Sequence, residues 1–232
     1  SSIARESDFI LPIRAGIEIG VASTKAFSCQ LVVLAILAIK FSSDRKSLSD
    51  KKIRESIKSL LSLPSYLTKA LQKEQVLKEV SSELAKANDI LFLGRGALFP
   101  LALEGALKLK EVSYIHAEGY AGGELKHGPI ALVDEKIPII CFCPSNDLFS
   151  KTISNIEEVI ARGGKVILIT DKKGSERAPK GIWKTVFLPS VSPIITPALY
   201  AIPAQLLAYY TALKKGTDID QPRNLAKSVT VE

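Results

Sequence analysis

Three short, almost unbroken apolar runs, Ile90–Leu93, Ile137–Cys143 and Val166–Thr170, constrain this chain more than any other feature. Each is of strand length and none alternates with polar residues, so each must be covered on both faces. Helical signals separate them. Pro100 opens a helix reaching about Val112, and another runs from about Ser145 to Arg162, where Gly163-Gly164 closes it. Val186–Leu188 gives a further strand, and Pro193–Leu213 contains a last helix. Buried strands alternating with helices predict an α/β sandwich on a parallel sheet, with right-handed crossovers. Gly94-Arg95-Gly96, at the end of the first strand, has the look of an anion cradle before a helix. Two glycines serve simple chain reversal equally well.

Before residue 88 the texture differs. Asp8–Ile13 reads as a short buried strand, with a turn near Gly16. Ser23 or Thr24 can N-cap a long helix to about Phe41, in which Val32, Val33, Ile36 and Leu37 form a broad apolar face. A polar connector follows over 42–50. Helical patterns then cover 51–62 and 65–87, with Leu63-Pro64 as the break between them.

Composition excludes several classes of function. At 232 residues, 47% hydrophobic and 24% charged, the chain suits one large or two small globular domains. The net charge is +7, and Arg45, Lys46, Lys51, Lys52, Arg54 and Lys58 cluster without interleaved aromatics. That cluster reads as a solvated helix face, so no nucleic-acid partner is expected. Cys141 and Cys143 lie two apart on a strand as reduced core residues, and Cys29 sits in a helix. His116 and His127 are the only histidines and metal-ligand spacing is absent, so neither metal nor cofactor is expected. The longest apolar run, Leu31–Ile39, is too short for a bilayer and no signal peptide opens the chain. The expectation is a cytoplasmic protein without membrane contact. The chain has no methionine and begins Ser1-Ser2-Ile3, as expected of a fragment or processed product.

Four groups of residues carry possible chemistry. Glu104, Lys108 and Glu111 recur at helical spacing on one face. In water such a trio is an ordinary ion-pair stripe. Buried, a carboxylate beside a lysine can carry a proton at neutral pH. His127, in Leu125-Lys126-His127-Gly128-Pro129, is either a proton donor and acceptor near its ordinary pKa or a loop histidine bonded to backbone. His116 reads as structural. Ser23-Thr24, in the stretch Glu18–Phe27, is either a helix cap or the lip of an oxyanion site formed by backbone amides. Lys227, between Ala226 and Ser228, lies in a tail too particular for a loose terminus. A lysine held from water can become a Schiff-base former.

Leu103–Glu111, His116–Tyr120, Gly123–Pro129, Glu18–Phe27 and the tail from Pro222 together closely resemble the isomerase part of the glutamine–fructose-6-phosphate aminotransferase family, over about Ser2 to Glu232. The resemblance implies a three-layer α/β/α sandwich of the sugar-isomerase (SIS) type with a parallel sheet, preceded by the remnant of another SIS domain. Residues 1–42 would be the trailing part of that first domain, 43–64 a connector and helix, 65–213 the second SIS domain, and 214–232 a tail folding into the active site. Glu111 would be the proton-shuttling base, Lys108 its assistant at the sugar, His127 the ring-opening residue donated by the other subunit of a homodimer, and Lys227 the Schiff-base lysine. Val21, Ser23, Thr24, Glu18, Ala226 and Arg223 would lie at the substrate, with Arg223 ordering the tail or meeting anions. The substrate class implied is a sugar phosphate, fructose 6-phosphate or glucosamine 6-phosphate. The family's glutaminase domain and its serine- and threonine-rich phosphate loop have no counterpart here, so the fragment itself is expected to be inactive in synthesis. Gly119 and Gly122 are expected to loosen the loop leading to His127. Another SIS-type isomerase or deglycase, or a non-catalytic sugar-phosphate sensor, would share the fold without needing Lys227.

Overall fold

The computed structural model describes residues 2–228. Ser1 and Val229–Glu232, the last four positions of the tail, lie outside the described residues. After a short helix α1 (Ser2–Glu6) the chain runs irregularly to α2 (Lys25–Asp44), α3 (Asp50–Leu71) and α4 (Glu74–Leu84). An alternating series follows: β1 (Asp89–Gly94), α5 (Phe99–Ser113), β2 (His116–Ala121), β3 (Pro138–Phe142), α6 (Phe149–Ile160), β4 (Lys165–Thr170), α7 (Lys172–Glu176), β5 (Lys184–Phe187) and α8 (Thr196–Lys215). The five strands form one sheet in the order β2-β1-β3-β4-β5, and every pairing is parallel.

Period-two alternation along the strands divides the interior into two layers. Ile90 and Phe92 of β1, with Ile140 and Phe142 of β3, face α4, α5 and α8, where they meet Leu84, Leu109 and Leu199. Leu91, Leu93 and Cys141 point the other way, onto Ile156 and Val159 of α6. Burying a side chain of the size of Phe92 stabilises the fold by about 2–3 kcal/mol. Cys141 and Cys143 are free and buried in that second layer.

Four expectations need correction. Asp8–Ile13 is not a buried strand: it is irregular and Phe9 is 93% exposed. No described strand lies beside it, and an extended segment without a ladder partner has nowhere to place its backbone hydrogen bonds. The break at Leu63-Pro64 is absent, because α3 runs through Pro64 to Leu71 and the chain turns at Gln72-Lys73 instead. Pro64 costs one helical hydrogen bond. Leu63, packed against Ile195 and Ala198, holds the helix on course. In α2 the buried residues are Ala35 and Ile39, whereas Ile36 is 52% exposed. By length and composition α2 could also cross a membrane, although the apolar run within it is short. Here its Leu31 and Val32 pack against α3 and the start of α8.

The fourth correction concerns β2, which the apolar pattern does not announce. His116–Ala121 pairs along its whole length with β1 at one edge of the sheet, and only Ala117 is fully buried. Gly119 stands opposite Phe92. A Cβ there would lie 2.6 Å from the backbone nitrogen of Leu103, so this glycine lets β2 and α5 touch. The residue expected to loosen the loop is a point of close packing.

Candidate active site

The site begins with the end of α5. Apolar residues on one side of this helix lie against β1, β2 and α8, which leaves Glu104, Lys108 and Glu111 on a common flank at the edge of the core. Lys108 is only 4% exposed. Its ammonium lies 2.5 Å from Glu111 Oε2 and 3.6 Å from Glu104 Oε1. The Glu111 contact is close but lacks hydrogen-bond alignment, so that oxygen is buried without a donor. Burial raises the Glu104 carboxyl above its ordinary pKa, Lys108 opposes the rise and Glu111 adds to it. Glu104 is therefore a third member of the cluster. Its helical spacing was the signal, and the resemblance gave it no role.

The tail is led back to this helix by identifiable contacts. Gly216, with φ of 70°, ends α8 in the left-handed conformation. Thr217 Oγ1 then donates to the Val112 carbonyl at 2.6 Å. Tyr114 caps α5 with φ of 61°, and its hydroxyl accepts from Arg223 N–H at 2.8 Å. The Arg223 guanidinium lies 4.3 Å from the centre of the Tyr114 ring. Arg223 thus holds the tail against the end of α5 through Tyr114. Ala226 is exposed beside Lys227.

Lys227 Nζ donates to the Gly20 carbonyl at 2.7 Å and to Glu18 Oε2 at 3.1 Å. The other Glu18 oxygen accepts from the backbone N–H groups of Thr24 and Ala26, at 2.9 and 3.3 Å, and from Thr24 Oγ1 at 3.2 Å. Burial alone would raise the Glu18 carboxyl, but these amide bonds and Lys227 outweigh it and lower the pKa to about 2. Neither Ser23 nor Thr24 caps α2 with its side chain. Glu18 does so from six residues upstream, and occupies the amides that were candidates for an oxyanion. Val21 N–H donates to the Asp220 carbonyl at 2.9 Å, pinning the same stretch to the tail.

Between these two groups opens a cavity of about 430 Å³, lined by Glu18, Gly20, Thr24 and Lys108 with Gln205 and Asp220. Gln205 also donates to the Thr24 carbonyl at 3.2 Å. Neither Gln205 nor Asp220 was singled out in the sequence, where only nearness to the tail distinguishes Asp220. The structure therefore brings Glu18, Thr24, Lys108, Glu111 and Lys227 into one neighbourhood. It leaves His127 elsewhere: this residue is exposed, at the end of a 3-10 turn (Gly122–His127) on the α6 side of the sheet. His116 is exposed on the edge strand, with Nδ1 2.7 Å from Asp89. Among the described residues no cluster of three or more His, Cys, Asp or Glu could hold a metal ion.

A parallel five-stranded sheet with helices on both faces and a cavity at one flank defines an α/β domain with room for a small molecule. The chain belongs to the SIS-domain family, whose pattern matches residues 83–215. It is 57% identical over 232 residues to glutamine–fructose-6-phosphate aminotransferase [isomerizing] of Bradyrhizobium diazoefficiens, covering all of this chain and 38% of that protein. The corresponding protein of Zymomonas mobilis is 56% identical with the same coverage. This chain thus spans little over a third of the length of these relatives. Among solved structures, the C-terminal domain of glucosamine-fructose-6-phosphate aminotransferase from Francisella tularensis superposes with a TM-score of 0.93 at 46% identity, over 95% of this chain and 62% of that one. Glucosamine-6-phosphate deaminase from Thermotoga maritima gives 0.71 at 26% identity, over 99% and 63%.

Proposed function

We propose that this chain is the sugar-handling part of an enzyme that makes glucosamine 6-phosphate and glutamate from fructose 6-phosphate and glutamine. In this reading residues 65–213 form the catalytic unit, 214–232 the tail that completes it, and 1–42 the trailing part of a companion domain. Ammonia and the phosphate clamp come from segments outside this chain, so the chain alone does not synthesise. The observation that carries the reading is Lys227, folded back onto Glu18 and Gly20 at the rim of a cavity that Lys108 enters from α5.

Lys227 attacks C2 of the open-chain ketose and water leaves, giving an imine that acidifies the C1 proton. Ammonia adds to that imine carbon and expels the Lys227 amine, leaving the ketose imine of ammonia. Glu111 then carries the C1 proton to C2, with Lys108 holding the developing negative charge, to give the 2-amino aldose. Glu18, titrating at about 2, cannot accept the Lys227 proton at neutral pH. The amine must therefore leave this contact before it attacks. His127 opens the sugar ring from the second subunit of a homodimer, which accounts for its distance from the cavity of its own protomer. Val21, Ser23, Thr24 and Ala226 line the approach of the sugar, and Arg223 fixes the tail. The reaction is cytoplasmic, where hexose phosphates are made.

The test is borohydride reduction of the intact enzyme with fructose 6-phosphate, followed by peptide mass analysis. A reduced hexose adduct on Lys227, absent in Lys227→Ala, is the expected result. Saturable binding of the sugar with no adduct on Lys227 overturns the reading.

A further inference from the structure

Helices α5 and α8 both end in the left-handed conformation, but with different residues. Gly216 ends α8, as glycine usually does. Tyr114 ends α5, with φ of 61° and ψ of 15°. A bulky residue keeps that conformation where its surroundings hold it there, and such outliers gather at functional sites. Tyr114 stands three residues beyond Glu111 on the same helix end. Its side chain gives the turn a use that glycine could not.

The turn that carries Glu111 is built partly from the tail. Carbonyls in the last turn of a helix lack partners within it. Here Tyr114 N–H donates to the Lys110 carbonyl at 3.1 Å, and Thr217 Oγ1 donates to the Val112 carbonyl at 2.6 Å. The carbonyls on either side of Glu111 are thus both tied, one of them by the tail itself. Past Thr217, Asp218 Oδ1 accepts from the N–H groups of Asp220 and Gln221, at 3.0 and 2.9 Å, and turns the chain. Pro222 is buried. Arg223 then meets Tyr114 twice, through its N–H on the hydroxyl and its guanidinium over the ring.

Beyond this anchor the tail runs at the surface. Asn224, Leu225 and Ala226 are exposed, and Asn224 has φ of 62°. Lys227 comes next, at the contact with Glu18 and Gly20 that its amine must leave before it attacks. The backbone from Arg223 to Lys227 spans at most about 14 Å when extended. A fixed Arg223 therefore keeps the amine near the rim of the cavity after release. A tail free at Arg223 as well would carry the amine into bulk water and forfeit most of its effective concentration.

We propose that Tyr114 is a positioning residue of the sugar reaction: it pins the tail at Arg223 to the helix end that carries Glu111, so that one point sets both the carboxylate and the amine. This rests on the reading of Lys227 as the Schiff-base lysine. Two measurements on the intact enzyme test it. One is the rate at which borohydride traps fructose 6-phosphate on Lys227. The other is the affinity for sorbitol 6-phosphate, which has no carbonyl to react, by titration calorimetry. Tyr114→Phe keeps the ring and loses the acceptor, and trapping slows about fivefold. Tyr114→Asn puts a residue that tolerates the left-handed turn in place of both contacts, and trapping slows about twentyfold. Affinity for sorbitol 6-phosphate stays within about twofold in each variant, because the tail is mispositioned and the cavity is not. Trapping as fast in Tyr114→Asn as in the unaltered enzyme, or trapping and affinity falling together, overturns the proposal and leaves Lys227 its role. An unaltered enzyme that forms no adduct on Lys227 overturns both.

Discussion

Two lysine–glutamate pairs flank the cavity, and they are built in opposite ways. Lys108 and Glu111 are three residues apart on one helix, with side chains 5% and 21% exposed. Lys227 and Glu18 are 209 residues apart in sequence and join two irregular segments, with side chains 49% and 10% exposed. The first pair is positioned by the packing of α5 on the sheet, and desolvation makes it costly to disturb. The second is positioned by a few hydrogen bonds at the surface and can open at little cost. The proposed chemistry uses both properties: a base held still, and an amine able to leave its resting contact.

The sharpest way to break this contrast is Glu111→Gln. Hexose-phosphate isomerisation by the intact enzyme should fall by about two to four orders of magnitude, as for loss of a general base. Isomerisation kept within a few-fold of normal would remove Glu111 from the mechanism and leave the pair a structural one. Next comes Lys108→Met, which leaves Glu104 and Glu111 facing each other in the core without a cation. Urea unfolding at pH 7 should show a loss of about 3 kcal/mol. Burial raises the folded-state pKa of Glu104, so the loss should shrink as pH falls and that carboxyl takes up its proton.

Gly119→Ala probes the packing that seats α5. The added Cβ meets the Leu103 backbone at 2.6 Å, and a backbone neighbour cannot swing aside. Destabilisation of about 2 kcal/mol is expected, read from the same unfolding curves. The smallest effect belongs to the surface pair. Glu18 titrates at about 2 in the folded state against 4.5 ordinarily, so its contribution is complete above pH 4.5 and is lost as pH falls towards 2. Glu18→Gln should cost about 1 kcal/mol at neutral pH, discounted for solvent screening, and the difference from the parent should vanish in acid. Amide exchange at Thr24 and Ala26 reads it directly, and a pH-independent difference would sink the assignment.

The same contrast explains what could be read from the chain. The apolar runs at β1, β3 and β4 declared a buried parallel sheet, because strands covered on both faces carry an uninterrupted signal. β2 carries none, since an edge strand beside a close-packed helix needs only Ala117 inside and Gly119 for contact. Continuity of α3 through Pro64 depends on Leu63 finding Ile195 and Ala198 more than a hundred residues later. The trio on α5 was visible as a spacing, though not its burial. Capping of α2 by Glu18, and the return of Lys227 to that carboxylate, depend on tertiary geometry. Local pattern cannot express them: the tail's particular sequence and the family resemblance pointed to its return, and neither pointed to the cap.

The edge strand has a last implication, for how these molecules behave when crowded. Its His116 lies within ion-pairing distance of Glu118 on the same strand and of Asp89 at the start of β1, beside a Tyr120 hydroxyl that donates to Glu118. A neighbouring chain adding a strand there would have to strip water from these charges. The border of the sheet is therefore sealed against runaway stacking without any covering element.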